Sequence, residues 1–269
     1  MAEGPGPARL TDLLVAPAPA INPEAWRAAT AWSAEALSGL AAGGAGGGPR
    51  RLTEYQVRRA LSSGDPWPET PFAWSARTTR RALGLHAVRL LVAGRVRNPT
   101  DGVRAALAEA TRGAGDGRRP RCAMDRWLSG LPPAGRAAVG AEAVTWSTRL
   151  WCALDWEALD GPVVIGRDHW WDGPRSSLLA LRSRAEVRTA SAHLVVLSGS
   201  RRSSVRSELS VVALVEALRS REGYVPGRIV GWWPDSGHLV RVEVEPAVLS
   251  EGVAAVETTL RGRQGRAAA

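Results

Sequence analysis

LLALRSRAEVRTASAHLVVLSGSRRSSVRSELSVVALVEAL, residues 178–218, changes its hydrophobic period twice and so decides the fold class. Residues 178–188 alternate. Leu181, Ser183, Ala185 and Val187 fall on one side and Arg182, Arg184, Glu186 and Arg188 on the other, the period-two pattern of a strand with one solvated face. HLVVLSG at 193–199 is a short apolar run of the kind that forms a central strand. From 204 to 221 the apolar residues move to helical spacing, with Val205, Leu209, Val212, Leu214, Val215 and Leu218 making an amphipathic helix.

Working outward, GRIVGWW (227–233) reads as a third strand, PDSG (234–237) as a turn and HLVRVEVE as a fourth strand, with a closing helix over 246–260. Upstream, the longest helical pattern runs over about 134–157, through Ala138, Ala141, Val144, Trp146, Leu150, Trp151 and Leu154. The expected fold is therefore α/β: a mostly helical N-terminal half followed by a mixed sheet flanked by helices. Residues 1–49 are expected to be a poorly ordered segment holding one helix (Pro23–Leu40) and ending in the Gly-rich linker AAGGAGGGP. Residues 50–133 form a helical region, with short helices at 50–61 and 101–111 and a helix at 76–94 that Ser75 can cap. A Pro/Trp turn (64–71) and a loop (113–121) separate them. Residues 134–260 make the α/β domain, and 261–269, with RGRQGR, a basic tail.

Charge narrows the chemistry. The chain has a net charge of +9, a pI near 11.1 and no lysine, so all 35 basic residues are arginine. Arginine stays charged and forks onto phosphate or carboxylate, which favours polyanionic partners. Every mechanism that needs an ε-amine is excluded. Cys122 and Cys152 make neither a disulfide framework nor a zinc site, and the four histidines form no metal-binding motif. No run is long and apolar enough to span a bilayer, and the start of the chain lacks the features of a signal peptide, so no membrane partner and a cytoplasmic location are expected.

Within 178–218, SRAE (183–186) and VLSG (196–199), followed by Glu208-Leu209, resemble the RecB-like branch of the PD-(D/E)XK nuclease superfamily. That branch carries a Gly-x-x-Asp strand, a (D/E)-x-K strand and an amphipathic helix opening with a polar residue and Leu. The resemblance puts Glu186 at the aspartate position, Val196 and Ser198 at the second acid and the lysine, and Glu142 at the acid of the preceding helix. It implies two acids around Mg²⁺ in active members, with a lysine to orient water. Here the lysine is gone and one aligned strand acid remains among Arg182, Arg184 and Arg188. Those cations would pair with the acid and weaken a metal, yet suit a phosphate backbone. The expectation is a non-cleaving protein that needs no cofactor and binds nucleic acid through Arg182, Arg184, Arg188, Arg201, Arg202 and Arg206, or scaffolds a DNA-processing assembly. A second reading is an active nuclease with a migrated site, Glu142, Glu186 and Glu208 holding Mg²⁺. A third is a protein-interaction subunit docking through its tryptophans. The Arg/Glu alternation is equally the pattern of a solvated sheet face.

Twelve tryptophans accompany one phenylalanine and two tyrosines. Trp127, Trp146, Trp151 and Trp156 lie at helical spacing and read as core. In Trp170-Trp171 and Trp232-Trp233, adjacent strand residues point to opposite faces, so one of each pair is available to line a groove. Asp168 and His169 could serve a metal or an acid–base step, though packing is the simpler role for a single histidine between acids.

Overall fold

The computed structural model describes residues 7–17, 19, 22–42, 50–63, 73–111, 122–159, 161–173, 179–220 and 225–267. The turn at 64–71, the loop at 113–121, the linker residues 43–49 and Leu178 lie outside them. The protein is α/β, a helix-rich N-terminal half preceding mixed sheets. Two compact units divide it, one drawn from residues 12–69 and 159–269, the other from 6–11 and 70–158.

The second unit is helical. It holds α4 (Ala76–Val92), α5 (Pro99–Thr111), α6 (Ala123–Gly130) and α7 (Pro133–Cys152). Ser75 caps α4 as expected: its Oγ accepts from the Thr78 amide, and Thr78 Oγ1 accepts from the Ser75 amide, closing a capping box. Leu83, Ala87, Val103, Ala106, Leu128, Val139 and Ala143 form the core. The expected boundary at 134 is therefore misplaced. α7 buries Val139 and Ala143 against α4, so the division comes after it, near 158. Trp151 stacks on Trp156, with ring centroids 5.1 Å apart. Cys122 and Cys152 are free and exposed.

The first unit contains the sheets. Two strand pieces, β2 (Val164–Ile165) and β3 (Asp168–Asp172), run antiparallel to β4 (Leu179–Arg184) and β5 (Val187–Arg188). Asp168 faces Arg184 and Ile165 faces Val187, so one register runs through both pairs. β1 (Arg50–Leu52) lies parallel to β4 on its far side, and β6 (Ala192–Val196) antiparallel to β5. α8 (Val205–Arg219) then crosses to β7 (Arg228–Trp232), parallel to β6, and β8 (Leu239–Glu243) turns back antiparallel. A parallel pair needs such a crossover, and a helix supplies it.

Arg50–Leu52 was expected to be helical. It is extended because its amides and carbonyls pair with β4, while α3 (Glu54–Ser63) begins just after it. This pairing draws 50–63 into the sheet unit rather than the expected helical region. Residues 7–15, expected to be poorly ordered, form α1 (Pro7–Val15), with Leu10 and Leu14 buried. The carbonyls of Leu13, Ala16 and Pro17 accept from the buried Arg228 guanidinium at 3.0–3.1 Å, which ties the C-terminal end of that helix to β7.

α8 is not amphipathic as expected. Residues 208–217 are buried on every side, because the sheet covers one flank and α9 (Pro246–Ala267) the other. The two helices nearly touch at Gly252, where a Cβ would stand 2.7 Å from the Ser210 carbonyl oxygen. α2 (Pro23–Ala42) adds Trp26 and Leu37 to this core. α9 continues to Ala267, seven residues past the expected helix end at 260, since nothing before that point breaks a helix as proline does.

Candidate functional site

The site region centres on the break between β4 and β5. Along β4, Leu181 joins the core under α8 while Arg182 and Arg184 stay half-buried on the opposite face, as the alternation predicts. Ala185 and Glu186 then interrupt the pleat. On the partner strand Gly166 (φ 60°) adopts a left-handed conformation, and its amide donates to the Glu186 carbonyl at 2.8 Å. Ser183 and Arg188 are five residues apart, which an unbroken strand would place on opposite faces. Both nevertheless reach Oε1 of Glu216 on α8, at 2.6 and 3.5 Å. The interruption has reversed the faces. Arg188 is thus buried beneath α8 rather than on a solvated arginine face, a correction to the sequence reading.

Glu186 is fully buried. Its Oε2 accepts from the amide of Val196 at 2.7 Å, and its Oε1 lies 3.4 Å from Arg184 Nη2. The carboxylate at the aligned aspartate position is therefore hydrogen-bonded to the backbone of the strand where the resemblance expects a second acid. Arg184 also lies 3.7 Å from Glu54, in the first turn of α3. Arg182 grips that same Glu54 with its fork, Nε to Oε2 at 3.0 Å and Nη2 to Oε1 at 2.9 Å, and reaches Asp168 at 3.4 Å. Asp168, Arg182, Glu54, Arg184 and Glu186 form an alternating ladder of charge. Burial alone would raise the Glu54 carboxyl, but Arg182 and Arg184 outweigh it and hold the group below its ordinary value. Arg182 is raised in return, the Glu54 carboxylate overcoming its burial.

The remaining candidates are paired elsewhere. Arg202 forks onto Glu208 at 2.5 and 2.6 Å, and Ser204 donates to the same carboxylate at 2.9 Å. Arg206 forks onto Glu251 of α9. Glu142 belongs to the helical unit, where it binds Arg80 at 2.9 Å. Arg201 is exposed in the loop before α8. Of the arginines expected to form a free phosphate-binding face, Arg182, Arg184, Arg188, Arg202 and Arg206 each meet a carboxylate. Among the described residues no group of three or more His, Cys, Asp or Glu side chains is placed to hold a metal ion.

The sequence reading missed Glu216 altogether. It lies on the side of α8 that faces β3 and β4 and gathers His169 Nδ1 at 2.8 Å, Ser183 Oγ at 2.6 Å and Arg188. His193 Nδ1 stands 3.9 Å away with no hydrogen-bond partner, and Arg219 lies at the rim of the cluster. Burial would raise Glu216, but hydrogen bonds from His169 and Ser183 and the charge of Arg188 bring it down to about 2. Burial pushes His193 down to about 3, against the pull of Glu216 and helped by Arg188 and His169. Burial likewise lowers Arg188. His169 is thus a half-buried partner of Glu216. The one available signal was Glu216 itself, a charge within an otherwise apolar helical run.

Of the paired tryptophans, Trp171 packs against the core and Trp170 lies on the other face, within reach of the guanidiniums of Arg51 (5.6 Å) and Arg182 (5.8 Å). Trp232 and Trp233 are both buried, contrary to expectation. No helix among the described residues is long and apolar enough to cross a membrane. No protein-family model matches the chain, and no curated protein matches it significantly.

Proposed function

We propose that this is a cytoplasmic, non-cleaving nuclease-like protein that binds nucleic acid or scaffolds a DNA-processing assembly. The observation that carries the reading is the state of Glu186: fully buried, with one oxygen on the Val196 amide and the other beside Arg184. A carboxylate must offer a free oxygen to a divalent ion together with other oxygen ligands. Arg184 instead brings a fixed positive charge to the place where a second cation would be repelled. The order of elements also supports a nuclease-like unit: an antiparallel pair, a third strand, a crossover helix and a parallel fourth strand. Val196 and Ser198 occupy the positions where catalysis would need an acid and a lysine.

The carboxylates proposed for a migrated site have other partners, Glu208 in Arg202 and Glu142 in Arg80. Pairing of arginine with acid across the sheet unit favours a scaffold whose affinity for polyanions is modest at rest. The test is DNA binding by purified protein across a salt series, followed by incubation of the DNA with Mg²⁺ or Mn²⁺. Salt-sensitive binding with intact DNA is the expected result. Metal-dependent cleavage that disappears in Glu186→Gln would overturn the reading.

A further inference from the structure

We propose that Glu54 is an internal stand-in for phosphate: its carboxylate fills an anion site made by Arg182 and Arg184, and the β1–α3 segment carrying it masks that site from a phosphodiester ligand. The inference rests on the nucleic-acid reading above and adds how the site is regulated.

The geometry is that of anion recognition. Both Glu54 oxygens lie on one guanidinium fork, at 3.0 and 2.9 Å, and a second guanidinium stands 3.7 Å away. Arginine presents the same parallel donors to a phosphate. The carboxylate comes from a separate piece of chain. β1 docks beside β4, and Thr53 then starts α3, its amide donating to Gln56 Oε1 at 2.8 Å, which sets Glu54 in the first turn.

The surroundings also suit a nucleotide. Trp170, Arg182, Arg184, Asp168 and Asp172 share the face of β3 and β4 turned away from α8, and exposed Arg51 reaches the Trp170 ring. An aromatic ring beside guanidiniums is what stacks a base and holds its phosphate. With Glu54 in place, Arg51, Arg182 and Arg184 are offset by Glu54, Asp168 and Asp172, with Glu186 beside Arg184, which leaves no net positive field for a polyanion. Without the Glu54 carboxylate the Nε–Nη2 edge of Arg182 loses its anion and the local charge rises by one.

The experiment measures anisotropy of a labelled single-stranded DNA oligonucleotide from 50 to about 300 mM salt, on the full chain, for wild type, Glu54→Gln and Glu54→Gln/Arg182→Gln. Glu54→Gln is expected to bind about tenfold more tightly at low salt, with the log–log salt slope steeper by about 0.7 to 1.4, one or two added phosphate contacts. Adding Arg182→Gln returns affinity to the wild-type level. If Glu54→Gln lowers the folded fraction, inorganic phosphate serves as a second probe: it should raise the Tm of Glu54→Gln and leave the wild type unchanged. Equal or weaker binding by Glu54→Gln, a gain that survives Arg182→Gln, or an equal phosphate response in both proteins overturns the masking. Cleavage by the wild type would instead overturn the non-catalytic reading, so the two failures are distinct.

Discussion

Replacing Glu216 by glutamine removes a charge and almost no volume, which makes it a clean probe of the cluster beneath α8. Glutamine can still accept from Ser183 and His169, so the neutral hydrogen bonds survive. What is lost is the counter-charge to Arg188, a guanidinium only 4% exposed whose Nη2 lies 3.5 Å from the carboxylate and whose Nε has no acceptor. Breaking a buried ion pair from one side costs about 3–5 kcal/mol, because the remaining charge is stranded away from water. Arg188 also donates to the carbonyls of Ala185 and Arg167, so the lower end, about 3 kcal/mol, is expected. Native stability is only about 5–15 kcal/mol, so the loss is readily visible in urea melts followed by tryptophan fluorescence. By contrast, the double variant Glu216→Gln/Arg188→Gln should cost much less than the two single losses summed, with a coupling above about 1 kcal/mol. A Glu216→Gln loss below about 0.5 kcal/mol, with an unchanged m-value, would refute the reasoning.

Two further outcomes follow from the same packing. Acid should destabilise the protein early. His193, neutral and held at about 3 when folded, stabilises fully above its ordinary 6.5 and loses that contribution as pH falls from 6.5 toward 3. Glu216, held at about 2, adds a second loss between its ordinary 4.5 and 2. Urea midpoints at pH 7, 5.5 and 4 should therefore decline, and a flat profile from 6.5 to 4.5 would contradict the buried neutral imidazole. Arg228→Met keeps most of the aliphatic volume but strips the donors from Leu13, Ala16 and Pro17. It should cost about 2–3 kcal/mol and speed hydrogen exchange of the α1 amides; unchanged exchange there would mean that α1 is held by apolar contacts alone.

Much of the fold was legible where a residue's partner lies nearby in sequence. The Ser75–Thr78 cap, the helical spacing of α7 and the apolar runs of β6 and β7 are all local signals, and each element formed within a few residues of its expected bounds. β1 was not legible: RRL has no strand pattern and is extended only through pairing with residues 179–181. α1 was hidden by its Gly/Pro-rich surroundings, and its C-terminal carbonyls are satisfied by an arginine more than 200 positions away.

The candidate site divides in the same way. Composition alone determined that the chain has no lysine and carries a large excess of arginine, because both are properties of the residues themselves. Alternation alone determined that Arg182 and Arg184 share a face, because a strand's period is local. Only the tertiary structure decided which carboxylate each cation meets: Glu54 for Arg182, 128 positions away, and Glu216 for Arg188. It also decided that the break at Ala185-Glu186 turns Arg188 inward. Charge pairing and pleat reversal depend on which surfaces come together, and residues far apart in sequence carry no local pattern that announces their meeting.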